Sequence, residues 1–169
     1  MKKLLTLCLV LFATVSMQAQ SIVGQWATIL EEGEQNVALL LGFDSNKDAI
    51  MKILIEMYDK ELGTMNFSVT VEGKYKVKGD QLTLMLNKDK VDVEVGEIEW
   101  SAEMQKAIDE NPATADMIIN MMKAEMDKEK NTFVEDFDKK EEMTIISVTD
   151  TELILNSGDE NMTFKKFEN

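Results

Sequence analysis

Among 169 residues there is no histidine, no arginine, one cysteine and one proline. Each shortage removes a chemistry. Without histidine or a retained thiol, neither a Ser-His-Asp nor a Cys-His nucleophile system can be assembled. Imidazole and thiolate also make up the usual zinc and copper ligand sets, so no metal is expected. The eight glycines are scattered at strand ends and turns, and none clusters into a phosphate-cradling loop. No cofactor is expected. Positive charge is short as well: 18 lysines stand against 32 acids, for a net charge of −14. That excess repels phosphate backbones and anionic lipid heads, which makes nucleic acid a poor partner, and its simplest use is solubility.

The one cysteine, Cys8, belongs to an N-terminal segment that reads as an export signal. Lys2 and Lys3 give a positive start, residues 4–15 an apolar core, and Ala19 a small residue for cleavage. That core is too short to span ~30 Å of hydrocarbon, and no later stretch is long and apolar enough, so stable membrane insertion is not expected. Thr6 and Leu7 precede Cys8 where an acylated cysteine wants a small neighbour, so no lipoprotein anchor is expected either. The reading is a signal peptide over residues 1–19 and one domain over residues 20–169, secreted or periplasmic. Cleavage leaves no cysteine for a disulfide. A domain of that size buries roughly two thirds of its unfolded surface.

Beyond residue 20, period two dominates. Phe67, Val69, Val71, Tyr75 and Val77 alternate with polar neighbours, which predicts a long strand with one apolar face. Gly79-Asp80 turns the chain into Leu82, Leu84 and Leu86. Val91, Val93 and Val95 then alternate on odd positions and Ile98 and Trp100 on even ones, so a β-bulge is expected at Gly96-Glu97. Residues 22–30, 38–43, 51–57, 143–148, 153–155 and 162–167 supply further short runs. The runs count to about nine hairpin-linked strands and predict an antiparallel up-and-down barrel of eight or nine strands, since closure removes the sheet's edges.

One segment, residues 101–140, breaks the period. Met104, Ala107 and Ile108 share a helical face, and Asn111-Pro112 caps and starts a second helix. Ala115, Ile118, Ile119, Met122 and Met126 follow at helical steps, with Met117 and Met121 widening the stripe and Phe133 and Phe137 extending it. This is a helical insertion that must lie on the barrel or on a partner.

Two acidic patterns are candidates for chemistry. Asp44, Asn46 and Asp48 mimic the opening of a calcium loop. However, Ala49 stands where glycine is needed and Ile55 where a bidentate glutamate is needed, so an Asx-rich turn is preferred. Glu97 and Glu99 are spaced for a carboxylate pair, the one route left to a hydrolase. With 32 acids such pairs arise by chance, so no catalytic residue is assigned. The methionines of the insertion suit either docking onto the sheet or an adaptable apolar lip.

Gly24-Gln25-Trp26, on the first strand of an exported meander of this length, resembles the opening of lipocalin-like proteins of the calycin group, most closely the short bacterial envelope members. The resemblance implies a barrel whose closed end is plugged by Trp26 after Gly24, under a basic residue from the last strand. Parity with Met162 and Phe164 selects Lys166 over Lys165 for that role, a lysine where lipocalins usually have arginine. The helical segment here also interrupts the strands rather than following them. The function implied is non-enzymatic binding of a small apolar ligand, lined by Phe67, Val69, Val71 and Tyr75 with Met121 and Met122 as a lid. The alternative is an envelope interaction protein with a filled barrel that docks through its helices.

Overall fold

The computed structural model describes residues 21–32, 35–137, 140–158 and 160–167. The export signal read in residues 1–19 therefore lies outside the described residues, as do the side chains of Phe133 and Phe137. The strands are β1 (Gly24–Glu32), β2 (Gln35–Phe43), β3 (Asp48–Asp59), β4 (Gly63–Lys78), β5 (Gln81–Trp100), β6 (Glu141–Val148), β7 (Glu152–Ser157) and β8 (Glu160–Phe167). Between β5 and β6 lie the helices α1 (Ala102–Glu110) and α2 (Ala113–Phe137). Each strand pairs antiparallel with the next, and β8 returns to β1 to close a barrel.

Eight strands are present, the lower of the two numbers expected, because residues 82–86 and 91–100 form the single strand β5. Two irregularities explain how one strand changes its face twice. Met65 pairs with Ile98 and Phe67 with Val95, so Gly96 and Glu97 together oppose Asn66. This is the bulge expected from the phase change, and the Asn66 side-chain amide donates to the Glu97 carbonyl across it at 3.1 Å. The second accompanies the change from even apolar positions at Leu82, Leu84 and Leu86 to odd ones at Val91, Val93 and Val95. Val71 pairs with Val91 but Gly73 with Leu86, so residues 87–90 loop out opposite Glu72. An Asx turn holds that excursion, with the Asp89 N–H on Asn87 Oδ1 at 2.9 Å. Lys90 bonds Glu72 at 2.8 Å, and that hydrogen bond, with the carboxylate's charge, holds its ammonium above the usual lysine range. The two shifts keep Leu82, Leu84, Val91 and Ile98 on the inner face.

The turn between β2 and β3 is Asx-built. Asp44 Oδ1 accepts the N–H groups of Asn46 and Asp48 at 2.8 and 2.9 Å. The carboxylate that mimics a calcium ligand thus organises its own hairpin.

The wall is uneven. Strands β3, β4 and β5 have 12, 16 and 20 residues, whereas β6, β7 and β8 have 8, 6 and 8. Both seams between the tall and low sides are short. β5 pairs with β6 only over residues 81–84, and β1 with β8 only over residues 25–27. The helix α2 packs on β5, and its Lys123 lines a groove with residues 93–96 of that strand. Ser101 starts the helical segment: its hydroxyl accepts the Met104 N–H and donates to the Glu61 carbonyl at 2.6 Å, so one side chain caps α1 and ties it to the β3–β4 turn.

Along α2, Ala115, Ile118, Ile119, Met122 and Met126 are half-buried, as the helical spacing predicts. Met117 and Met121 do not widen that stripe; they are 58% and 66% exposed. The reason is the 3.6-residue turn, which rotates them well away from the stripe's centre however apolar they are.

The core has two parts. The larger joins Trp26, Leu41, Phe43, Ala49, Tyr75, Leu82, Leu84, Leu153, Leu155 and Phe164 near the start of β1. The smaller, Val69, Val71 and Val91, fills the inner face of the tall side with Met51, Ile53, Leu86 and Val93 around it.

Candidate ligand-binding chamber

The Trp26 end is shut by the side chains of its own strands. Trp26 is 1% exposed. Its indole N–H donates to the Ile22 carbonyl at 2.8 Å, which satisfies the ring's one polar group inside apolar cover. Lys166 faces Trp26 directly across the β1–β8 seam, and its ammonium lies 5.6 Å from the ring centroid. Lys165 points the other way and pairs with Glu152. Gly24 makes the crossing possible: its φ is +141°, and a Cβ there would sit 3.2 Å from the Lys166 side-chain stem. Glycine is thus the residue that allows both the backbone angle and the lysine's path. Replacing Lys166 by alanine should lower stability by about 0.5–1 kcal/mol in urea titration, the worth of a cation over an aromatic face at an accessible site. An unchanged midpoint would mean the cation is incidental.

Tyr75, expected to touch ligand, completes this closure instead. Its ring meets Phe43 edge-on at 5.0 Å and lies under Lys47 at 4.9 Å. Its hydroxyl donates to the Asp44 carbonyl at 2.7 Å, pinning the β2–β3 turn across the barrel end. Val69 and Val71 face inward as expected but are packed into the smaller core.

The open volume runs from Leu41, the cross-strand partner of Trp26, toward the opposite rim. A chamber of about 250 Å³ is lined by Leu39, Leu41, Met51, Leu84, Leu86, Met143, Met162 and Phe164, with Glu141 and Ser157. Glu141 is the first residue of β6 and Ser157 the last of β7, so both stand on the rim opposite Trp26, on the low side. Sequence reading misses these residues as a site. The alternating runs at residues 38–43, 82–86 and 162–167 mark many of them as inward, but only the lengths of the seams reveal where packing stops.

A second groove, of about 550 Å³, runs between α2 and the tall side. Lys123 faces Lys52, Leu54, Ser68 and Glu94 there, and Phe67 lies in its wall. Of the two methionines expected above the ligand, Met122 is half-buried on the helix's inner side and Met121 points to solvent. Neither lines the chamber. Glu97 and Glu99 are both exposed.

The fold defines the class: an eight-stranded antiparallel up-and-down barrel, plugged at the Trp26 end, with a pocket open to solvent on its inner face. No protein-family model matches the chain, and no curated protein does. Among solved structures it is similar to the crystal structure of an uncharacterized protein from Bacteroides eggerthii DSM 20697. That likeness has 17% identity and a TM-score of 0.39, over 87% of this chain and 100% of the other.

Proposed function

We propose that this chain is an exported, non-enzymatic, lipocalin-like binding module that holds a small apolar ligand inside its barrel. The observation that supports the reading is the chamber of about 250 Å³ with eight apolar side chains in its wall. Its size exceeds the ~150 Å³ cavity that takes up benzene and falls just short of the ~300 Å³ at which drug-sized pockets begin. The ligand is therefore of one or two rings, or a short acyl chain. Met51, Met143 and Met162 in the wall suit a pocket that adjusts to shape, because thioether chains are unbranched and rotate freely. Export is supported by the positive start and apolar core of residues 1–19.

The test is native mass spectrometry of protein recovered from its producing cells, with uptake of the neutral dye N-phenyl-1-naphthylamine. Saturable uptake is expected, weakened about tenfold or more by Leu39→Trp, which fills the chamber from a half-buried wall position. Absence of both a bound mass and saturable uptake would overturn the proposal.

A second reading is favoured by Met117 and Met121, whose exposure on the outer side of α2 leaves apolar surface unused by the barrel. In that reading the helices dock on another envelope protein. Met117→Gln with Met121→Gln should then abolish crosslinking to that protein while leaving dye uptake intact. Unchanged crosslinking would sink it.

A further inference from the structure

We infer that the chamber's ligand carries a cationic amino head on its apolar body, and that Glu141 receives that head at the rim. This rests on the reading of the chamber as a binding site. Along β6, Glu141 shares its face with Met143, two residues on, so the strand's alternation turns a carboxylate inward at the mouth. Among the described residues it is the one charged side chain lining the chamber. No hydrogen bond or ion pair to it is found among the described residues, so the carboxylate is available to a ligand. Ser157, also on the rim, adds a hydroxyl oxygen that accepts a second N–H from an ammonium.

The wider field points the same way. A net charge of −14 raises the local concentration of cations and repels carboxylate ligands from an unscreened mouth. A wall of aliphatic, thioether and aromatic groups supplies apolar contact and nothing to satisfy a second polar end. The complementary molecule thus has one positive end and one dry end, short enough for about 250 Å³. A primary arylalkylamine fits that description.

Three matched probes separate head from body: 2-phenylethylamine, 2-phenylethanol and 3-phenylpropanoate, titrated calorimetrically at low ionic strength. The amine is expected to bind about tenfold tighter than the alcohol, and the carboxylate more weakly than either. Glu141→Gln should erase the amine's lead over the alcohol, whereas Glu142→Gln on the outer face should keep the lead and leave the alcohol's affinity unchanged. Circular dichroism would verify that both variants stay folded. Equal binding of amine and alcohol would overturn the cationic head and leave the chamber standing. A lead that survives in Glu141→Gln would overturn the assignment to Glu141. Failure of all three probes, with no uptake of the neutral dye, would bring down the chamber reading and this inference with it.

Discussion

Trp26→Ala should cost about 3–5 kcal/mol of folding stability, the range for truncating a large aromatic side chain in a core. Three losses combine. The ring is 1% exposed, so its removal leaves a cavity at the barrel's closed end. The indole N–H is also lost, which strands the Ile22 carbonyl in buried surroundings, itself a penalty of about 1–3 kcal/mol when no water replaces the donor. Finally, Lys166 no longer has an aromatic face beneath its ammonium. With an m-value of ~2 kcal/mol/M in urea, the unfolding midpoint should fall by roughly 2 M. Since single domains hold only ~5–15 kcal/mol in total, the variant is expected to sit close to its folding threshold. Trp100→Ala is the comparison, because that ring is half-buried at the far end of β5 and should matter less. A shift worth under about 1 kcal/mol for Trp26→Ala would mean the plug is dispensable.

How far the fold is legible in the chain follows from how local each feature is. Strand alternation is set by neighbours two residues apart, and it holds through β4 and most of β5. The bulge at Gly96-Glu97 is legible for the same reason, because one extra residue changes the parity of apolar positions. The excursion at residues 87–90 also changes the parity, from even at Leu82, Leu84 and Leu86 to odd at Val91, Val93 and Val95, but the polar residues between them read equally well as a break between two strands. Parity also suffices to single out Lys166, whose place over Trp26 needs only that β8 pair with β1 in register.

The chamber depends on something less local. Its walls come from six strands, and its mouth exists because β6, β7 and β8 are short where β3, β4 and β5 are long. Pairing lengths between strands distant in sequence decide that, and no run of apolar residues encodes them. Inward residues on the tall side, such as Val69 and Val71, therefore look as suitable for a ligand as Leu39 or Met162. The difference is that Val91 and its neighbours already pack against them. Met121 departs from expectation for a simpler reason: its apolar character suggests burial, but helical phase turns it to solvent, and phase decides.

The second large effect is expected at Gly63, where β4 begins and β5 ends. Its φ is +110°, and a Cβ built there would lie 2.0 Å from the Glu99 carbonyl oxygen and 2.7 Å from the Ser101 nitrogen. Both are backbone atoms, so no side chain can swing aside. The obstruction falls at a junction: Ser101 N–H donates to the Leu62 carbonyl at 2.9 Å, and its hydroxyl both caps α1 and reaches Glu61. Gly63→Ala must therefore separate β4 from β5 at the point where the helices depart. Overpacking adds about 1–3 kcal/mol and the strained backbone angle about 1–3 more, for an expected loss of roughly 3–5 kcal/mol. Gly79→Ala separates the two contributions. That glycine also has positive φ, +64°, but nothing lies within 4 Å of its missing Cβ, so only conformational strain of about 1 kcal/mol should be seen. Urea midpoints of the two variants, compared with the parent, give the answer. If Gly63→Ala is no worse than Gly79→Ala, the close approach at the β4–β5 junction is not what holds the helices against the tall wall.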